Sequence, residues 1–227
     1  MGSRRDGSLP DDFTMVDTSL YAAFVVAALA LCLTPGPDMM FVVAMGGRGG
    51  PVAGVLAAAG VGTGALTHAV AAMLGLSALF TALPTLYHVL RWAGAAYLLY
   101  LAVKAFRDRG DPVGEPDGAG PEKQHAQRRR AYWQGVVTNL LNPKVILFNI
   151  AFLPQFVNPS LGHPMMQFLV LGITLVLIGL AVDSGVGLLA GRLADLLRRS
   201  RRVARGLNIF SGTVFTGLAV RLVAVPK

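Results

Sequence analysis

The stretch LTPGPD, residues Leu33 to Asp38, interrupts an apolar run with two prolines and a carboxylate, and LNPK, Leu141 to Lys144, interrupts a later one in a related way. Proline removes a backbone donor and its ring clashes with the preceding turn, so a helix cannot pass such a point unchanged. Thr34 and Asn142 have N-cap chemistry, and Pro35 and Pro143 then suit the first helical position. The spacing predicts that a new half-helix starts at each break. Such a start exposes amide N–H groups and a partial positive charge, which together receive a carboxylate. The plain alternative is a proline kink with no ligand.

Outward from the breaks, apolar runs cover roughly 19–46, 51–82, 84–103, 132–157, 165–191 and 206–225. Each is near or above the ~20 residues that cross a bilayer. They lack the alternation of a barrel strand, which leaves helices. The reading is an all-α, polytopic membrane protein of six transmembrane helices, with proline-broken helices 1 and 4. Composition agrees: of 227 residues 54% are apolar and 14% charged, and mean hydropathy is +0.57. A soluble domain carries about 25% charge. A leader peptide would not need five further apolar runs behind it. The formal charge of +8 does not point to nucleic acid, because the arginines cluster between apolar stretches instead of lining an amphipathic face. The single Cys32 excludes a disulfide framework and a four-cysteine zinc site. The partition is a polar tail at 1–18, a first three-helix half at 19–106, a charged linker at 107–130 and a second half at 131–227.

Three helices separate the two breaks, so helices 1 and 4 run in opposite directions and the halves form an inverted repeat. Each half also ends on a helix with Gly and an aromatic three apart, Gly94 with Tyr97 and Gly212 with Phe215. Lys and Arg set the orientation, since cytoplasmic loops retain positive charge. Fourteen of the twenty basic residues fall in the 1-2, 3-4 and 5-6 connections, which places both termini outside and the 107–130 linker in the cytoplasm.

Asp38, Lys144 and Asp183 lie within or beside apolar runs. A charge at bilayer depth costs about 2.5–3.5 kcal/mol on insertion scales, so such groups face a cavity or each other. Asp38 and Lys144 each follow a break, and an inverted repeat brings them to related positions. There they pair, or contact opposite ends of a zwitterion; a static ion pair is the alternative. Asp183, among Ser184, Gly185 and Gly187, is a candidate proton carrier. Gly60, Gly64 and His68 share one helical face, where the glycines admit a close neighbour and His68 is either a packing residue or a proton relay. Gly60 to Gly64 follows no strand and is no dinucleotide fingerprint, Ser184 has no partnered His, and the four histidines lack metal-ligand spacing. No catalytic constellation, cofactor or metal site emerges, and the chain is read as a non-enzyme.

The strings LTPGPDMMFVVAMGGRGG (33–50), RWAGAAYLLYL (91–101) and NLLNPKVILFNIAFLPQF (139–156) resemble the LysE/RhtB type of amino-acid exporters, in the same order and at similar spacing from about 19 to 223. The resemblance implies a bacterial inner-membrane translocator that exports amino acids or close derivatives using the proton gradient, often as a dimer. It also implies functional roles for Pro35, Gly36, Pro37, Asn139, Asn142, Pro143, Lys144 and Asp183. The substrate is expected between 34–38 and 142–144, in contact with Thr34, Pro35, Gly36, Pro37, Asp38, Asn139, Asn142, Pro143 and Lys144. Asp183, with Asp38 and His68, is expected to couple protons. The rival readings are an exporter of another small solute such as a metal cation, and a non-transporting membrane scaffold.

Overall fold

The computed structural model describes residues 16–82, 84–107 and 121–224. All regular structure among them is helical: α1 Thr18–Leu33, α2 Pro37–Ala82, α3 Pro84–Arg107, α4 Pro121–Leu140, α5 Pro143–Leu147, α6 Pro164–Leu188, α7 Ala190–Arg199 and α8 Arg201–Ala224. Most of the polar tail and residues 108–120 of the charged linker lie outside the described residues. Of the described part of the linker, Arg107 ends α3 and 121–130 belongs to α4, which starts at Pro121, eleven residues before the apolar run.

Asp17 starts α1. Its Oδ1 accepts from the Ser19 and Leu20 amides at 3.0 and 3.1 Å and from Ser19 Oγ at 2.7 Å. Its other oxygen accepts from Asn158 Nδ2 at 3.1 Å, which ties α1 to the connection before α6. The Ser19 hydroxyl above all, then the Leu20 amide and Asn158, holds the Asp17 carboxyl down at about 2. That connection is closed in turn by buried Gln167, whose amide donates to the carbonyls of Asn158 and Gly162 at 2.9 and 2.8 Å.

α2 is two helices joined at Gly50, whose φ of 79° is open to glycine and strained for other residues. Pro51 then takes the first position of the second segment. The chain folds back here: a Cβ on Gly46 would lie 3.2 Å from Cα of Gly54, whereas eight residues of continuous helix span about 12 Å. Val42 accordingly shares a core with Ala57, Ala58 and Val61. By length and apolarity alone, three described helices can cross a bilayer, Pro37–Gly75, Pro164–Leu188 and Arg201–Ala224, and four if Gln127–Leu140 and Pro143–Phe156, bent by 46°, form one span. The reversal at Gly50 divides the first of these.

Backbone contact holds the bundle together. A Cβ on Gly60 would stand 2.0 Å from the Tyr132 carbonyl oxygen, and one on Gly135 2.5 Å from that of Ala57, so α2 and α4 touch main chain to main chain. Gly54 and Gly187 do the same for α2 and α6. Small residues at such crossings are what membrane helices use in place of a hydrophobic driving force. α3 and α8 pack on each other, with Gly212 seated against the ring of Phe106. Beyond α5 the chain makes one π-helical turn, Phe148–Phe152, and a 3₁₀ turn, Leu153–Phe156. Phe148, Phe152 and Phe156 build the main core with Phe24, whose ring lies 5.2 Å from that of Phe156, edge to face. α7 is a separate amphipathic helix after a break at Leu189, and it packs on the first segment of α2 through Ala190 and Ala194 against Gly46 and Gly47.

Candidate functional site

The two breaks meet. Thr34 does not cap the helix that follows it: its hydroxyl donates back to the Ala30 carbonyl at 2.6 Å and its amide to Ala30 and Leu31, so it closes α1. α2 begins three residues later with Pro37 in the first position, and Pro35 and Gly36 form the connection. This corrects the expected half-helix start at Pro35. At the second break the expectation holds: Asn142 Oδ1 accepts from the Lys144 amide at 3.0 Å, and Pro143 opens α5. The structural counterparts are therefore Pro37-Asp38 and Pro143-Lys144. Each is an exposed proline followed by a buried charge, negative at the first break and positive at the second.

Asp38 and Lys144 are each 7% exposed and Asp183 8%, and all three line one cavity. Asn139, on the last turn of α4, donates from Nδ2 to Asp38 Oδ2 at 2.8 Å. The other carboxylate oxygen, Oδ1, is buried with no hydrogen-bond partner among the described residues, and so is Asn139 Oδ1. Lys144 Nζ donates to the carbonyls of Leu31 and Thr34 at 3.4 and 3.2 Å. These belong to the last turn and cap of α1, where the helix dipole favours a cation. Among the described residues no carboxylate comes within 4.0 Å of Nζ, so the static ion pair is not formed. Asp183 reaches the cavity from α6.

The two half-helix starts differ as anion receptors. At α5 the donors are consumed: Pro143 has none, the Lys144 amide is held by the Asn142 side chain, and the Val145 and Ile146 amides donate to the Asn142 carbonyl. At α2 the amides of Asp38 and Met39 donate to no acceptor among the described residues. Only the first break offers open amides, against the expectation that both would.

The rest of the wall is apolar: Leu31, Val61, Val145, Phe148, Leu175 and Leu180 are its larger members. Gly62, Gly179 and Cys32 also line it, three residues not singled out in the sequence. Each reads locally as ordinary packing, and only the helix arrangement turns it inward. The free volume is about 60 Å³, too little for an amino acid. His68 is not part of the wall; its Nε2 lies 3.4 Å from the Asn139 carbonyl, one step behind the Asp38 contact.

A profile of LysE type translocators matches residues 29–225. An uncharacterized membrane protein of Pseudomonas aeruginosa is 33% identical over 199 residues, 88% of this chain and 92% of its own length. Another of Vibrio cholerae is 32% identical over 207 residues, 91% of this chain and 98% of its own. A leucine efflux protein of Klebsiella pneumoniae is 33% identical over 208 residues, 89% and 93% of the two chains. No solved structure matches the chain significantly.

Proposed function

The chain belongs to the LysE type translocator family, and from that premise we propose that it exports amino acids with aliphatic side chains across the bacterial inner membrane, in exchange for protons. One observation carries the reading: Asp38, Lys144 and Asp183, buried and drawn from both breaks and from α6, line a single cavity whose other walls, Asn139 apart, are apolar. Charge buried in an apolar bundle is costly, and a polar passenger is what such groups serve. An amino acid carries one positive end, one negative end and a side chain, and the cavity has a counterpart for each. The open amides of Asp38 and Met39 receive the carboxylate. The carbonyls at the end of α1 and the free oxygen of Asp38 meet the ammonium. The side chain lies among Leu31, Val61, Val145, Phe148 and Leu180. The leucine efflux relative supports this size class.

Asp183, which hydrogen-bonds to no described residue, carries the coupling proton in this reading. Six crossings in two inverted halves follow from taking α1 with the first segment of α2, and α4 with α5, as the two broken spans, with both termini outside. The present state is closed, since the cavity does not hold the passenger; the breaks and the π-helical turn behind α5 are where the bundle opens.

The test is transport by purified protein in proteoliposomes, with labelled leucine counterflow and with accumulation driven by an imposed pH gradient. Asp183→Asn should retain counterflow and lose the gradient-driven accumulation by tenfold or more. Wild-type proton-coupled transport by Asp183→Asn would overturn the coupling role, and absence of leucine counterflow and of counterflow of other aliphatic amino acids in the wild type would overturn the substrate class.

A further inference from the structure

We propose that Lys144 is a tethered occupant of the substrate's ammonium seat, which holds the empty site closed and is displaced when the amino acid binds. This rests on the amino-acid reading above and adds a role for Lys144 that neither a counterion nor a carboxylate contact describes. Three observations support it. First, the amino group of Lys144 sits on carbonyls, those of Leu31 and Thr34 at the end of α1, and no described carboxylate is within 4.0 Å. Carbonyls at a helix C-terminus hold any ammonium of the right reach, so the seat is not specific to lysine. Second, Asp38 Oδ1 is buried in the same cavity without a partner. A buried carboxylate oxygen left unpaired is costly, and with Nζ beyond 4.0 Å it is an acceptor that no described residue serves. Third, the fit of Lys144 depends on the break itself: a Cβ on Gly36 would lie 2.9 Å from Nζ and 3.3 Å from Cε. Gly36 is not at a positive φ, so its missing side chain makes room for the amino group.

Lys144 is also mismatched to its own helix. It stands at the second position of α5, where the dipole opposes a cation, and it gains its stabilisation only by reaching to the far end of α1. A substrate ammonium in the same seat keeps the charge there constant. It releases Lys144 to follow the substrate carboxylate. Loading is then an exchange of one ammonium for another, with no net charge added to the acceptors.

The experiment is calorimetric titration of the full chain in detergent with three probes: leucine, 3-methylbutylamine, which has the ammonium and no carboxylate, and 4-methylpentanoate, which has the carboxylate and no ammonium. Lys144→Met empties the seat, so 3-methylbutylamine should bind it at least tenfold more tightly than wild type, while 4-methylpentanoate does not gain. Gly36→Ala keeps the lysine and crowds its flexible amino group, which must shift on the carbonyls, so it should give a smaller gain for the amine in the same direction if Lys144→Met does not fold. If neither variant gains affinity for the amine, the tethered-occupant role is wrong. If Lys144→Met instead loses affinity for 4-methylpentanoate and leucine in parallel with no gain for the amine, Lys144 is a plain carboxylate ligand. The wild-type leucine titration reports separately on the amino-acid reading, because the amine arm requires no leucine binding.

Discussion

Gly60→Ala perturbs transport from outside the cavity, and the structure sets its size. The added Cβ would stand 2.0 Å from the Tyr132 carbonyl oxygen and 3.1 Å from the Val136 amide nitrogen, where ordinary contact begins at 3.4 Å. The neighbour is main chain, which cannot swing aside, so α2 and α4 must part by roughly 1 Å or more. Forcing one methyl into a packed contact costs about 1–3 kcal/mol, and a backbone neighbour belongs at the upper end. Helix propensity returns about 1 kcal/mol for glycine to alanine, leaving a net loss of about 1–2 kcal/mol. The same shift passes along α4 to Asn139, two turns on, and lengthens its 2.8 Å contact with Asp38 toward the limit of a hydrogen bond. Gly75→Ala is the matched control, since it lies in the same helix with nothing within 4 Å of the new methyl. Melting in detergent should fall by several degrees for Gly60→Ala and rise or stay level for Gly75→Ala. Leucine counterflow should drop at least tenfold in the first and persist in the second. Equal stability and equal transport in the two variants would refute the claim that main-chain contact between α2 and α4 positions Asn139.

Asn139→Leu removes a charge-assisted hydrogen bond and leaves the buried Asp38 with none, a loss of about 1.5–3 kcal/mol in unfolding experiments; adding Asp38→Leu should recover stability without recovering transport. Gly179→Ala places a methyl 3.7 Å from Cys32 Sγ, ordinary contact, on the cavity wall. Its melting temperature should be equal or higher, while the KM for leucine rises several-fold. Asp17 has a carboxyl lowered from 3.8 to about 2, so its contribution to stability is complete above 3.8 and vanishes as pH falls through about 2. The melting-temperature gap between wild type and Asp17→Asn should close over that interval and stay constant from pH 5 to 8.

The breaks, the cap at Asn142 and the buried charges were legible because each is a local rule of proline, capping or bilayer cost acting on adjacent residues. The register of the first break was not. Pro35 and Pro37 are equally able to open a helix, and Thr34, which could cap the one at Pro35, instead bonds back to Ala30 and Leu31 and closes α1. The punctuation between Gly46 and Pro51 marked a boundary, but not that the chain would reverse on one glycine. The start of α4 at Pro121 was masked by charge and glycine, which read as linker. The π-helical turn at Phe148 leaves no composition signal, because its residues are as apolar as any helix facing lipid. For the same reason Cys32, Gly62 and Gly179 could not be told from lipid-facing neighbours: inside a bilayer hydropathy does not separate the wall of a cavity from the outside of the bundle.

The asymmetry of Asp38 and Lys144 bears on how such a site works. Asp38 sits at the start of its own helix, where the dipole supports an anion, and it is further held by Asn139. Lys144 sits at the equivalent point of α5, where the dipole opposes it, and depends on the end of another helix. Two like helix starts meet here, so only one of two opposite charges can suit its own start. The other must be supported from elsewhere, and that support can be withdrawn. A carboxylate fixed by its own helix and a cation held on loan by α1 form a site with one permanent and one exchangeable member. The fixed member keeps the cavity polar, and the exchangeable one lets the cavity close when no substrate is there.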